Sequence, residues 1–386
     1  MEKNNDTAPV VLQVLPELET GGLETGTVEM ACELQKHGIK NFVASQGGRM
    51  VHDLEKAKVP HITLPLKTKN PFKMLSNAKK LEKVIRENGI NIVHARSRAP
   101  AWSAYWAAKR AGVHFMTTFH GTYGLGPFGI KKLYNRVMTY GERVIAISNH
   151  IRNHMIKNYK TDDSKIRLIF RCADIEKFNP AAVSQERMIK KIKEYNIAED
   201  KPVILLPGRI THWKGQHLLI EALHLMKHKD YYCIIAGAEQ GRTDYLNHIK
   251  NLARKYNLQD RVGFFGIYSD APALMMVSNI ILSTAIEPEA FGRIAVEGQA
   301  MGKIVIASNI GGSLDNLIDG KTGRLFVSND AQSLADAIDW ALDLPEEEKK
   351  KISEAAVKNV KDNFTKEIMC DKTIKVYKEL MALDKH

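Results

Sequence analysis

The sequence predicts an α/β protein made of two doubly wound domains, each a parallel sheet with helices on both faces. Three observations carry this. The chain has 386 residues, more than one hydrophobic core usually serves. Short apolar runs alternate with helix-length amphipathic segments, the pattern of βαβ units. An apolar run, a glycine turn and a helix open the chain at Val10–Gly22 and recur at Val203–Gly215. Composition is that of a globular protein, 44% hydrophobic and 26% charged.

The first run, Val10-Val-Leu-Gln-Val-Leu15, is of the buried parallel-strand type and leads through Thr20 to Gly21-Gly22. A helix is expected from about Leu23 to His37. Glycines ahead of it suit a backbone that a ligand approaches closely. Asn41–Ser45 and His61–Leu64 read as strands, followed by a helix over Pro71–Asn88 and a strand over Ile90–His94. In that helix Met74, Leu75, Ala78, Leu81, Val84 and Ile85 form the expected core stripe, and Lys73, Lys79, Lys80, Lys83 and Arg86 crowd the other faces. With Lys67 and Lys69 upstream, this basic surface suits an anionic membrane, or is a solvated face.

Val113–His120 is a strand ending in a histidine, the position where open α/β sheets bind ligands. The following loop carries Tyr123, and Gly124, Gly126 and Gly129 fit G-x-G-x-x-G. A dinucleotide fingerprint is rejected, because the next strand, Arg143–Ser148, ends without the acid that would bind a ribose. An acceptor loop is expected, with Ser148 as a further candidate. After Ile166–Phe170, the polar run 179–200 is placed as the linker.

In the second half, Val203–Leu206 leads to Gly208-Arg209 and Lys214-Gly215. Arg209 and Lys214, five residues apart on one loop, suit a diphosphate. Tyr232–Gly237 and Val262–Gly266 continue the sheet, and Asn279–Thr284 delivers Glu287-Pro-Glu289-Ala-Phe291-Gly292-Arg293-Ile-Ala-Val-Glu297. A helix starting near Phe291-Gly292-Arg293 offers unpaired N–H groups to an anion. Glu289 and Glu297 repel phosphate and suit hydroxyls, which sugars supply. At a helical rise the eight residues between them span about 12 Å.

Other chemistries find little support. Cys32, Cys172, Cys233 and Cys370 form no C-x-x-C pair, so buried thiols are expected. Neither H-E-x-x-H nor Asp-x-Asp occurs, and no catalytic metal is expected. No segment has the roughly 18 uncharged apolar residues of a membrane span, and Met1–Asp6 opens no signal peptide, so a cytoplasmic protein is expected. The net charge of +12 is lopsided: residues 1–180 hold 28 Lys+Arg against 16 Asp+Glu, residues 181–386 hold 28 of each. Such a field concentrates anionic partners.

Glu289-x7-Glu297, with Gly302-Lys-Ile-Val-Ile-Ala-Ser-Asn-Ile-Gly311-Gly312 and Asp319-Gly-Lys-Thr-Gly323, resembles the retaining glycosyltransferases of the GT-B fold, family 4. The resemblance extends back through Gly208-Arg209, Lys214-Gly215, His120-Gly121 and Thr20-Gly21-Gly22-Leu-Glu24, in the family's order. Where the family more often has Glu after the paired glycines, this chain has Ser-Leu-Asp315.

The resemblance implies two Rossmann-like domains facing a central cleft: 1–190 for the acceptor, 200–365 for a nucleotide-sugar donor, and 366–386 as a helix crossing back. It implies His120, Glu289, Arg209 and Lys214 as catalytic residues. Donor contacts would come from Gly21, Gly22, Arg209, Lys214, Ile267, Glu289, Phe291, Gly292, Arg293 and Glu297. Glu24, Tyr123 and Ser148 would serve the acceptor or its loop. The implied activity is metal-independent, cofactor-free hexosyl transfer, UDP-sugar favoured, through a front-face step in which the leaving phosphate deprotonates the acceptor. The implied acceptor is a glycan or lipid-linked glycan of lipopolysaccharide or another cell-surface polysaccharide. Peripheral contact on the cytoplasmic face of an anionic inner membrane fits the basic first half. A nucleotide-sugar epimerase or glycosyl phosphorylase shares the architecture. A basic nucleic-acid-binding protein is disfavoured by 7% aromatics and the lack of a recognised motif.

Overall fold

Runs such as Val11-Leu-Gln-Val14 and Ile304-Val-Ile-Ala-Ser308 are buried over their whole length, which only a sheet covered on both faces requires. The computed structural model describes residues 8–19, 21–198 and 200–383. Expectations resting on Met1–Asp6 and Thr20 lie outside the described residues. The chain divides into two compact units, residues 1–171 with 366–386, and residues 172–365.

Unit 1 contains strands β1 (Val11–Val14), β2 (Asn41–Ser45), β3 (His61–Thr63), β4 (Ile92–Ala95), β5 (His114–Phe119), β6 (Arg143–Ala146) and β7 (Ile166–Leu168). All pair in parallel, in the order β3-β2-β1-β4-β5-β6-β7. Its helices are α1 (Gly22–Lys36), α2 (Val51–Lys56), α3 (Pro71–Asn88), α4 (Arg98–Ala111), α5 (Ile130–Asn135) and α6 (Asn149–Tyr159). Asn70 starts α3 by accepting from the N–H groups of Phe72 and Lys73, Pro71 sits at its first turn, and Gly89 ends it at φ +65°. The core stripe of α3 is narrower than expected. Met74, Ala78, Leu81 and Ile85 are buried, whereas Leu75 is 41% exposed, because it stands 100° round the helix from Met74.

Unit 2 contains β8 (Val203–Pro207), β9 (Tyr232–Ala236), β10 (Val262–Phe265), β11 (Ile280–Ser283), β12 (Ile304–Ser308) and β13 (Arg324–Phe326), in the order β10-β9-β8-β11-β12-β13, again all parallel. Its helices are α7 (Gln185–Glu194), α8 (Gln216–Leu225), α9 (Thr243–Lys255), α10 (Ala271–Met276), α11 (Arg293–Ala300), α12 (Ser313–Asn316), α13 (Ala331–Asp343) and α14 (Glu346–Asn363). The helix α7, placed in a linker from sequence, instead packs into unit 2: Arg187 pairs with Asp270 at 2.6 Å, and Lys191 reaches Ser269 at 3.3 Å. The last helix, α15 (Lys366–Met381), belongs to unit 1, where Tyr377 hydroxyl meets His94 Nδ1 at 2.8 Å and Glu379 pairs with Arg143 and Arg167.

In both sheets the winding reverses beside the first strand, between β1 and β4 and between β8 and β11. Loops leaving the carboxyl ends of those strands diverge and open a crevice.

Candidate active site

In unit 2 the two loops flanking the crevice are fastened together. Gly215, at φ +72°, passes so close to Thr284 that a Cβ on it would lie 2.1 Å from the Thr284 carbonyl oxygen. Thr284 hydroxyl donates to Lys214 O at 2.9 Å, and Ile286 N–H to Trp213 O at 2.9 Å. This brings Lys214 Nζ to 2.6 Å from Glu289 Oε1, each side chain only 14% exposed. Ser283 hydroxyl donates to the same carboxylate oxygen at 3.4 Å. Lys214 also lies over the Trp213 ring, 4.7 Å from its centroid, and Arg209, which is exposed, lies 5.9 Å from it.

Glu289 is held from its other side by the paired glycines. Gly312 N–H donates to Glu289 O at 2.9 Å, and a Cβ on Gly311 would meet that oxygen at 2.5 Å. Gly292, at φ +81°, is the N-cap of α11, and Asn316 Nδ2 bonds to Phe291 O and Gly292 O. Phe291 is buried. Only residues from Arg293 onward are helical, so the spacing of Glu289 and Glu297 is not that of a continuous helix. Glu297 pairs with Arg293 at 2.8 Å, one turn away. The Tyr268 hydroxyl is pushed up to about 12 by burial and by Glu297. Ile267, 85% exposed, lines an apolar cavity of about 610 Å³ with Ile210, Leu246, Phe264 and Gly266, beyond the carboxyl ends of β8, β9 and β10.

In unit 1, Gly21 is the N-cap of α1, and the Glu24 carboxylate folds back so that a Cβ on Gly21 would meet its Oε2 at 2.4 Å. Burial raises the Glu24 carboxyl above the usual range. His120 follows β5. Its Nε2 is enclosed without a hydrogen-bond partner, and burial, reinforced by Arg96, Arg171 and His94, holds the imidazole well below its ordinary value. It is therefore a neutral ring at physiological pH. Tyr123 packs on Phe119, with the Arg98 guanidinium 4.2 Å from its ring centroid. Ser148 is fully buried, and its hydroxyl accepts from Ile151 N–H to cap α6. That hydroxyl is committed to the helix rather than presented to a ligand.

Sequence reasoning missed two buried cations beneath α1. Arg96, 4% exposed, donates to Gly26 O at 3.1 Å, and Arg171, 5% exposed, donates to Gly22 O at 2.6 Å. The Arg171 guanidinium lies directly against Gly26, where a Cβ would come 1.9 Å from Nη1 and push the side chain aside. Burial brings Arg96 down to about 10. The available signal was His94-Ala-Arg96 closing β4, a strand that the winding places next to β1.

Chemically, unit 2 offers Arg209, Lys214 and the start of α11 to an anion, carboxylates to hydroxyls, and an apolar cavity to a flat ring. Unit 1 offers a neutral imidazole above two buried guanidiniums. Among the described residues no three His, Cys, Asp or Glu side chains gather as a metal site.

Residues 20–177 match the model of Glycosyltransferase Family 4, and residues 188–359 that of Glycosyl transferases group 1. Among solved structures, the chain is similar to a glycosyltransferase from Rickettsia africae ESF-5, at 41% identity, a TM-score of 0.91 and coverage of 98% of this chain and 100% of that one. It shares the fold of Anabaena Alr3699/HepE in complex with UDP, at 22% identity, a TM-score of 0.84 and coverage of 96% and 100%. The putative glycosyltransferase YtcC of Bacillus subtilis (strain 168) is 28% identical over 233 residues, 58% of this chain and 56% of that protein. The chain thus spans little more than half the length of that relative.

Proposed function

Because this chain belongs to the family 4, group 1 glycosyltransferases of the GT-B fold, we propose that it transfers a sugar, with retention and without a metal, from a nucleotide diphosphate sugar to an anionic or lipid-linked glycan acceptor. The observation that carries this reading is the fastened pair of loops in unit 2, which sets Lys214 against Glu289 beside the start of α11. As the glycosidic bond breaks, negative charge grows on the leaving diphosphate. Lys214, Arg209 and the N–H groups at Gly292-Arg293 are the cations and dipoles that stabilise it. Glu289 accepts hydrogen bonds from sugar hydroxyls and Glu297 from ribose hydroxyls, while the cavity at Ile267 takes the base. UDP is the favoured nucleotide, in line with the Anabaena protein of this fold that holds it. On this reading unit 1 binds the acceptor.

Lipopolysaccharide or another surface polysaccharide is the proposed product class, with unit 1 resting on an anionic membrane. Support comes from the basic helix α3, whose Phe72 and Leu75 are exposed among lysines. No helix among the described residues is long and apolar enough to cross a membrane.

A nucleotide-release assay over UDP-, ADP- and GDP-sugars with a short glycan phosphate as acceptor, run in excess chelator, tests the reading. Release of UDP that depends on acceptor and persists in chelator is expected. Activity abolished by chelator and restored by Mn²⁺ would overturn metal independence, and turnover of donor alone would point to an epimerase.

A further inference from the structure

Unit 2 holds a second cavity, of about 500 Å³, at the other edge of its sheet. Pro202 just before β8, Ile280 starting β11 and Ile304 starting β12 line it. It therefore lies at the amino ends of strands whose carboxyl ends carry Lys214 and Glu289, and the sugar-transfer reading does not use it.

One wall is the turn Gly302-Lys303. Gly302 is at φ +64°, and a Cβ on it would meet Ser353 Oγ of α14 at 2.7 Å. Lys349 and Lys350 precede Ser353 by four and three residues, so they share its face of the helix and line the same cavity. Lys303 Nζ donates to Met276 O at 2.7 Å. The acids at the rim are already engaged: Asp230 with Lys201 at 3.2 Å, and Glu346 with Lys349 at 2.8 Å. His228 pairs with Asp343 at 2.7 Å. Among the described residues Lys350 meets no carboxylate, so even with Lys303 neutral the cavity keeps one positive charge beyond the Lys349–Glu346 pair, which attracts an anion.

We propose that Lys303 is a nucleophile in an anion-binding cavity, acylated there by acyl phosphates whose phosphoryl group Lys349 and Lys350 hold. Burial brings the Lys303 amine down to about 8, so a substantial share is neutral near physiological pH. The neutral Nζ attacks the acyl carbonyl carbon. An N–C bond forms and the C–O bond to phosphorus-bound oxygen breaks. Its electron pair leaves on inorganic phosphate, which also takes the proton lost from nitrogen. The product is an uncharged amide, and the cation is lost from the cavity.

The test is incubation of the full chain with acetyl phosphate at pH 8, followed by site-resolved peptide mass spectrometry. Lys303 is expected to acetylate roughly tenfold faster than exposed lysines such as Lys79, because its larger neutral fraction outweighs the lower nucleophilicity of a weaker base. The Lys303 rate should level off above about pH 8, and inorganic phosphate should slow it without slowing Lys79. Lys349→Ser with Lys350→Ser, both on the helix surface, should remove the preference with acetyl phosphate but keep it with acetic anhydride, which carries no phosphate. Equal rates at Lys303 and Lys79, or a preference that survives the double substitution, would overturn the proposal. Neither result depends on whether the chain transfers sugars.

Discussion

Glu297 shows how a motif becomes a testable residue. Arg293 holds its carboxylate at 2.8 Å on the first turns of α11, a short helix whose Gly292 cap allows the chain to enter from a loop. Glu297→Gln keeps the shape and one acceptor oxygen but removes the charge. Nucleotide diphosphate affinity, measured by calorimetric titration, is expected to fall by about 1.5–3 kcal/mol, the worth of a charge-assisted hydrogen bond, with the melting temperature little changed. Unchanged affinity would take Glu297 out of the donor site. Glu289, Arg209 and Lys214 were readable as candidates because each lies on a loop that leaves the carboxyl end of an apolar strand. Arg96 and Arg171 were not, since an arginine looks the same in sequence whether it is solvated or lies under a helix.

The loop carrying Glu289 has no regular structure of its own, and the glycines after β12 shape it. A Cβ on Gly312 would lie 2.3–2.6 Å from the Phe291 backbone, and backbone cannot yield as a flexible side chain can. Gly312→Ala is therefore expected to cost about 1–3 kcal/mol of stability, as overpacking does, and to raise the donor KM by displacing Glu289. Thermal melting together with donor kinetics checks both, and a normal KM would show that Gly312 serves packing alone. The helix α3 makes a complementary point. Its ends were readable from Asn70, Pro71 and Gly89, whereas the fate of Leu75 depended on how wide a stripe α4 covers.

Charge divides sharply between the units: unit 1 holds 32 Lys+Arg against 18 Asp+Glu, unit 2 holds 24 against 26. Each basic residue near an anionic surface contributes about 1 kcal/mol, and salt screens it. Co-sedimentation with liposomes is expected only when they contain anionic lipid, and to fall at high salt. Binding indifferent to both would leave a soluble acceptor as the reason for the charge. Acid stability follows from the buried imidazoles. His94 and His120 titrate well below 6.5 in the folded chain, mainly through burial. Below about pH 6.5 the unfolded chain binds protons that the folded chain refuses, so stability falls as pH drops through that point. Glu142, Asp270 and Glu379 have lowered values, so their stabilising contribution is lost only as pH falls below the ordinary carboxylate range. Melting temperature should be flat from pH 8 to 7 and decline from 6.5 to 5. His94→Gln should make that decline shallower, and an unchanged slope would exclude His94 as a source.

Alternating apolar runs and glycine turns were enough to establish two parallel α/β sheets and the main helices, because each of those signals lies within a few consecutive residues. Position 185–194 shows where such signals end: a basic amphipathic stretch that reads as linker docks on α10 through Arg187 and Asp270, 83 residues apart. Lys214 and Glu289 likewise meet only because the winding puts β8 beside β11 and Gly215 lets their loops touch at Thr284. The two arginines under α1 and the lysine of the second cavity owe their character to burial. Burial comes from segments distant in sequence, so it exists only once the chain has folded.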